Sequence, residues 1–253
     1  MVAPMEKYNF VLIRGLARES GHWGSFLKEL QSKDYCLSVT GLDLPGAGVY
    51  HKISSPLTIR ENAEFLVSKL KEKNLDDGNL VIVSVSLGSM VAIEMAYLYP
   101  HLFKKVYLMN TSVSGLSPIH HRLQLQAMKR FYKILGSRSL ENRELEVLKM
   151  VSNKEEDWSK NLKDWVTIAK ERPIKPQNFL RQLLAASYYR LPNKKPETAM
   201  VVLNSKADRM VHYSCSEKLS KKWSLPIYTN LHAGHELALD DPEWVLERLQ
   251  ETL

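Results

Sequence analysis

Six short apolar segments along the chain predict the strands of a single sheet. Most of them are runs of branched aliphatic and aromatic residues without polar interruption, as in strands that are buried on both faces. They are residues 8–13, 35–40, 80–83, 105–109, 199–203 and 226–230. Helical periodicity or turn residues separate them, so the pattern predicts an α/β fold with a doubly wound, mostly parallel sheet.

The alternation of strand and helix stops between residues 117 and 195. Helical periodicity dominates there, and it is broken near Gly136, at Pro173 and Pro176, and again at Pro192. This pattern predicts three or four helices inserted between two strands of the sheet. We therefore expect a core made of residues 1–116 and 197–253, and a helical insert made of residues 117–196.

Composition narrows the class of protein. The chain has 253 residues, of which 44% are hydrophobic and 25% charged, as in an ordinary globular protein. No apolar run approaches the ~18 residues that a membrane span needs. The first apolar run is a strand candidate and is too short for a signal peptide, so we predict a cytoplasmic protein. Its oligomeric state stays open.

The positive charge is concentrated in the predicted insert. The chain carries +7 overall, but residues 117–195 contain 17 Lys and Arg against 8 Asp and Glu. Such a charge can steer an anionic partner, for example an acidic acyl carrier. Solvent-exposed faces of helices also carry many charged residues, and this is the interpretation of the positive charge that we favour. We predict no nucleic-acid partner.

The two cysteines and the histidines show no metal-ligand spacing. Cys36 lies in a predicted strand and Cys215 in a predicted helix, and neither has a second cysteine nearby in a metal or redox motif. We expect both to be buried, reduced thiols. No nucleotide-binding loop is visible, so we predict neither a metal nor a cofactor.

Residues 79–99 combine a predicted strand, a tight turn and a predicted helix. The turn has the sequence SVSLG, in which Ser84 and Gly88 flank Ser86 at two positions on either side. Such a turn exposes a strained serine in front of a helix N-terminus, the setting of a nucleophile. The usual pattern has glycine in place of Ser84. The alternative is an ordinary strand-to-helix loop that contains two serines.

Polar residues follow several predicted strands and should meet at one edge of the sheet, where ligands bind. Ser86, Asp208 and His235 come just after strands, in that order. A serine nucleophile needs a base, and a histidine base needs a carboxylate to fix its tautomer. We therefore predict a catalytic triad. The alternatives are a plain loop carboxylate for Asp208 and a core histidine for His235, while His232 is assigned to loop structure.

An acyl-transfer site also needs backbone N–H groups that face the developing oxyanion. One donor should be Leu87, directly after the nucleophile. The other should come from the loop after the first strand, where Leu16 is the best candidate because Gly15 lets the backbone approach closely.

These features together resemble the α/β-hydrolase family over residues 8–116 and 197–252. The matching features are Arg14-Gly15 with Trp23, the DLPGAG loop at residues 43–48, the Ser86 turn, Asp208 with Val211, and Gly234-His235. The resemblance implies that the insert is a helical cap over the site. The family usually has histidine in place of Arg14, and this arginine could place a cation near the oxyanion site.

The sequence therefore predicts a serine hydrolase that cleaves a small carboxylic ester or thioester through an acyl-enzyme on Ser86. A non-catalytic or slow binding protein on the same fold is the alternative from another class. An acyltransferase or perhydrolase would share the acyl-enzyme. The aromatic residues of the insert are candidates for the pocket, although we expect most of them in its core: Phe131, Tyr132, Trp158, Trp165, Tyr188 and Tyr189.

Overall fold

A computed structural model describes residues 6–253, and residues 1–5 of the predicted core lie outside it. Six strands alternate with helices in the first and last parts of the chain. The strands are β1 (Tyr8–Ile13), β2 (Cys36–Leu42), β3 (Leu80–Val85), β4 (Phe103–Met109), β5 (Ala199–Ser205) and β6 (Ile227–Asn230). All six lie where the apolar segments predict them, with ends that differ by one or two residues.

The helices outside the insert flank this sheet. They are α1 (Phe26–Gln31), α2 (Ile59–Glu72), α3 (Leu87–Leu98), α9 (Ser214–Trp223), α10 (Leu237–Asp240) and α11 (Pro242–Thr252). The periodicity of the sequence predicts that α1 begins near residue 23, but the helix begins at Phe26. Ser20–Trp23 forms a separate 3-10 turn, and Gly24 then adopts φ 56°, ψ −130°, a conformation that no α-helix can include.

The six strands form one parallel sheet in the order β2-β1-β3-β4-β5-β6. Strand β1, between β2 and β3, is buried on both faces: Val11 and Ile13 pack on the side of α2 and α3, and Phe10 and Leu12 on the side of α1 and α11. This two-sided burial explains why its sequence is a continuous apolar run. Each such side chain contributes about 1.5–3 kcal/mol.

Between β4 and β5 the chain forms five helices, in the segment called the helical insert. They are α4 (Ile119–Arg122), α5 (Leu125–Gly136), α6 (Leu140–Val151), α7 (Trp158–Glu171) and α8 (Pro176–Tyr188). α5, α6 and α7 share a small apolar core, in which Leu148 and Trp165 are buried. No helix in residues 6–253 has both the length and the apolar character to cross a bilayer.

The DLPGAG loop after β2 is fixed by its aspartate. Asp43 accepts hydrogen bonds from the N–H and the hydroxyl of Ser20 and from the N–H of Val49. Gly48 has φ 50°, and a Cβ on it would lie 1.9 Å from the Asp43 carboxylate. Glycine is therefore required there, and the loop holds a fixed shape beside the carboxyl ends of the strands.

Candidate active site

Ser86 occupies the turn between β3 and α3 in a strained conformation. Its φ of 57° and ψ of −120° are rare for a residue with a side chain. The Ser86 N–H donates to the carbonyl of Met109 at 2.9 Å, and the Thr111 hydroxyl donates to the Ser86 carbonyl at 2.9 Å. The backbone on both sides of Ser86 is thus held, while its side chain stays partly accessible.

The small residues around Ser86 are explained by close packing. A Cβ on Gly88 would lie 2.5–2.6 Å from the carbonyl oxygens of Arg14 and Ile13, so only glycine fits there. Ser84 is fully buried, and its hydroxyl donates to the carbonyl of Tyr107 at 2.8 Å. A serine whose hydroxyl has a hydrogen-bond partner thus fits at the position where the usual turn has glycine.

His235 and Asp208 form a buried pair at the ends of β6 and β5. His235 Nδ1 lies 2.7 Å from Asp208 Oδ2. The other oxygen of Asp208 accepts from the N–H groups of Met210 and Val211, at 2.7 and 3.0 Å. These contacts fix the carboxylate, and the carboxylate in turn fixes the ring of His235, leaving Nε2 as the free nitrogen.

The pKa of His235 is raised above its ordinary value. Burial alone lowers it, but the charge and the hydrogen bond of Asp208 together outweigh burial. A histidine in this setting is a stronger base than in water, and its protonated form is stabilised, as proton transfer from a serine requires.

The sequence analysis missed the role of Asn110, which links three strand ends. Its side-chain N–H₂ donates to the carbonyl oxygens of Gly234 and His235, at 3.2 and 2.9 Å, and its Oδ1 accepts from the Ser205 N–H at 2.8 Å. Asn110 has φ 45°. Its place directly after β4 was the available signal, but the partners of its amide are distant in sequence.

Ser86, His235 and Leu16 line one cavity of about 440 Å³. Most of its other walls are apolar side chains of the helical insert, namely Phe131, Ile134, Leu135, Val147, Met150, Val151, Ile174 and Phe179. Asp208 lies behind His235, outside the lining. Within residues 6–253 the Ser86 hydroxyl makes no hydrogen bond to His235, and such contacts often tighten only when substrate binds.

Two backbone N–H groups beside Ser86 have no hydrogen-bond acceptor in the described chain, those of Leu16 and Leu87. Leu87 is the first residue of α3, whose first N–H groups have no partner within the helix. Gly15 packs so closely that a Cβ on it would lie 3.1 Å from the Ser86 Cβ. The next amide, the N–H of Ala17, donates a hydrogen bond to the side-chain oxygen of Gln182 in α8 at 3.0 Å. The oxyanion role of Leu16 and Leu87 stays a prediction.

Arg14 does not place a cation at the oxyanion site, which corrects one expectation. It is buried, does not line the cavity, and lies with Nη2 2.6 Å from Glu236 Oε1. Its guanidinium also stacks 4.7 Å above the ring of Trp23, which is a core residue. The arginine is a structural residue whose charge is neutralised behind the site.

A second buried ion pair forms the polar side of the cavity. Arg18 Nη1 lies 2.7 Å from Glu144 of α6 and 2.9 Å from His22 Nε2. Burial and the charges of Arg18 and Arg14 hold the pKa of His22 well below its ordinary value, so this ring is neutral. The cavity is therefore mostly apolar, and its polar side holds this ion pair together with Arg143, which makes no salt bridge within residues 6–253.

The remaining candidates are placed as follows. Among the aromatics of the insert, Phe131 lines the cavity and Trp165 is in the core of the insert, whereas Tyr132 and Tyr188 are exposed. Trp158 packs against the same core, and Tyr189 joins the core of the sheet. His232 is an exposed loop residue. Cys36 and Cys215 are free and buried, and burial raises the pKa of the Cys36 thiol to about 11.

Comparison with known proteins places most of the chain in one family. A profile described as the Alpha/beta hydrolase family matches residues 10–248. The pimeloyl-acyl-carrier-protein methyl ester esterase of Pseudoalteromonas atlantica is 36% identical over 105 residues. That match covers 41% of this chain and only 37% of the esterase.

Solved structures share the whole fold at low identity. A bacterial membrane phospholipase A, described as a virulence factor, has a TM-score of 0.78 and 19% identity, covering 97% of this chain and 78% of that one. The enol-lactonase of Burkholderia xenovorans LB400 has a TM-score of 0.76 and 13% identity, covering 97% and 91%. At these identities the likeness is one of fold.

Proposed function

Because the chain belongs to the alpha/beta hydrolase family, we propose that it is a serine hydrolase of carboxylic esters or thioesters. The observation that carries this proposal is the arrangement at the strand ends. A strained serine at the start of α3 opens into the same cavity as His235, whose Nδ1 lies 2.7 Å from Asp208. This is the constellation that acyl transfer through a serine requires.

In the proposed reaction the Ser86 hydroxyl attacks the ester carbonyl carbon while its proton passes to His235 Nε2. The carbonyl oxygen becomes negative and accepts hydrogen bonds from the N–H groups of Leu16 and Leu87. Collapse of the intermediate breaks the bond to the alcohol or thiol, which takes the proton from His235. Water, deprotonated by the same ring, then releases the acid and restores Ser86.

The cavity supports an apolar acyl group. Its volume of about 440 Å³ lies in the range of small-molecule sites, and its walls from the insert are mostly aliphatic and aromatic. We therefore propose that the helical insert acts as a cap and that it selects the acyl chain. The chain length can be measured directly with a panel of esters that differ only in the acyl part.

An acyl carrier is one form in which such an ester could be presented. The name of the Pseudoalteromonas relative includes a carrier-linked methyl ester, and the insert of this chain is basic. The test is to compare kcat/KM for a carrier-linked ester with that for the same free ester. A carrier preference that disappears at high salt would support this narrower proposal.

The cytoplasmic location of the protein stays a prediction.

The activity itself is tested by intact mass after treatment with a fluorophosphonate probe. We expect one adduct on the intact chain and none on the Ser86→Ala variant. If a folded protein gives no adduct, a small sulfonyl fluoride shows whether the insert excluded the bulkier reagent. Failure of both reagents would contradict the proposal. It would favour the binding-protein alternative.

A further inference from the structure

One face of α5 is apolar and yet exposed to solvent. We call it the α5 stripe; its members are Leu125, Met128, Tyr132 and Leu135. Their spacing of three or four residues puts them on one side of the helix. Leu125, Tyr132 and Leu135 are 69%, 72% and 78% exposed.

The same helix has a second apolar face that is already occupied. Ala127 is buried in the core of the insert, and Phe131 and Ile134 line the cavity. A surface helix normally needs one apolar face for packing. The α5 stripe is therefore additional apolar surface that the fold of this chain does not use.

The stripe borders the opening of the cavity. Leu135 belongs to the stripe and also lines the cavity. The Phe179 ring of α8, which also lines the cavity, lies 6.4 Å from that of Phe131, and the next residue, Leu180, is again exposed. Apolar surface thus continues from the outside of the insert to the cavity that contains Ser86.

Cations flank the stripe without acidic partners. α5 contains Lys129, Arg130 and Lys133 and no acidic residue. Lys129 and Lys133 are exposed, as are Arg138 just beyond the helix and Arg143 in α6. Among residues 6–253 none of these four makes a salt bridge; Arg130 is the one that pairs, with Glu146. Exposed apolar residues next to unpaired cations are the pattern of a helix that lies in a membrane interface.

We propose that the α5 stripe docks the protein on an anionic lipid surface. Leu125, Met128 and Tyr132 enter the boundary between headgroups and acyl chains, and Lys129 and Lys133 reach the lipid phosphates. An acidic protein partner would account for the lysines, but it would not need a row of exposed apolar side chains. This docking does not depend on the chemistry of Ser86, so it can be tested separately.

The experiment is co-sedimentation of the intact chain with phosphatidylcholine vesicles, with and without added phosphatidylglycerol. The test variant is Leu125→Gln/Met128→Gln/Tyr132→Gln, whose positions do not line the cavity. The matched control is Leu37→Gln/Leu57→Gln/Leu231→Gln, which removes exposed apolar side chains from other surfaces. A third variant, Lys129→Gln/Lys133→Gln, tests the charge.

We expect binding to the anionic vesicles, weakened by salt, with a partition coefficient that falls roughly tenfold or more in the stripe variant. The control should bind like the parent chain, and the lysine variant should lose the preference for anionic lipid. Turnover of a short water-soluble ester should be the same in the parent chain and the stripe variant.

Three results would overturn the proposal. The first is equal sedimentation of the parent chain and the stripe variant. The second is binding of a purified acyl carrier that the stripe variant loses while neither chain binds vesicles. The third is a concentration-dependent dimer of the parent chain, absent from the stripe variant, without vesicle binding.

Discussion

The strand ends and the helical insert are stabilised in different ways. Two buried ionic pairs lie next to Ser86, Asp208–His235 and Arg14–Glu236. The insert has a small core of its own and several half-exposed ion pairs, such as Arg130–Glu146. Exposed pairs contribute little, about 0–1 kcal/mol each. We infer that the region around the strand ends is rigid and that the insert is the less stable part.

The insert is attached to the core by apolar contacts, such as those of Ala185 and Tyr189 in the core of the sheet, and by several polar contacts. Asp240 accepts from the Ser152 hydroxyl and the Asn153 N–H, at 2.6 and 2.8 Å. Asn178 donates to the Ile53 carbonyl, and Arg172 pairs with Glu19. These links hold α6, α7 and α8, whereas Ala127 is the one buried residue of α5, so we infer that α5 can open locally at a lower free energy than the sheet. A lid over a cavity needs this property.

The largest effect is expected from Asp208→Asn at the strand ends. The amide keeps the size of the side chain but removes the charge that holds the His235 tautomer, so kcat should fall about 10⁴-fold. The pKa of His235 should also fall, because burial lowers it and Asp208 opposes burial more strongly than Glu236 does. Folding should change little.

The pH profile of activity separates the fall in kcat from the fall in the pKa of His235. Activity needs neutral His235, so in the parent chain kcat/KM should fall as the pH drops through a pKa above the ordinary ~6.5. In Asp208→Asn the residual activity should persist to lower pH. An acid limb at the same pH in both chains would show that His235 is not the titrating base.

Arg14→Met should cause the largest loss of stability. It leaves Glu236 buried without its cation, which costs about 3–5 kcal/mol. The double variant Arg14→Met/Glu236→Gln removes both charges and should recover most of that loss. Urea denaturation of the three chains measures the difference. If both variants lose the same stability, packing of Arg14 on Trp23 matters more than the ion pair.

How much the sequence predicts also differs between the two regions. Ser86, Asp208 and His235 could be found because each follows an apolar run, and parallel strands bring their ends together. Arg14 was misjudged because its partner Glu236 is far along the chain. No local pattern shows whether a charge beside a catalytic loop points toward the cavity or away from it.

The sequence predicts that the insert is helical, but it does not predict which faces of its helices are exposed. Periodicity shows that α5 is amphipathic, yet it cannot show which of its two apolar faces packs. Only the structure separates Phe131, in the cavity wall, from Tyr132 in the exposed stripe. Asn178 and Gln182 were missed because their partners, Gly46 and Ala17, lie more than a hundred residues away.

Asp240→Ala should weaken the attachment of the insert by a smaller amount, about 2 kcal/mol. It removes the acceptor of the Ser152 hydroxyl and of the N–H groups of Asn153 and Gly234. We expect faster proteolysis within residues 117–196 at unchanged global stability. The control is Asp164→Ala, an exposed aspartate of α7. Cooperative loss of the whole fold would mean that insert and sheet unfold as one unit.

The smallest effect should come from Ser84, the residue in place of the usual glycine. Ser84→Ala removes the hydroxyl that donates to the Tyr107 carbonyl, at a cost of about 1 kcal/mol. Ser84→Gly loses the same hydrogen bond and costs roughly 0.5–1 kcal/mol more, because glycine gives the unfolded chain more conformational freedom. Because the Ser86 backbone is held by Met109 and Thr111, kcat should be nearly unchanged in both. Thermal unfolding and ester turnover measure this, and a large fall in kcat would show that Ser84 itself shapes the turn.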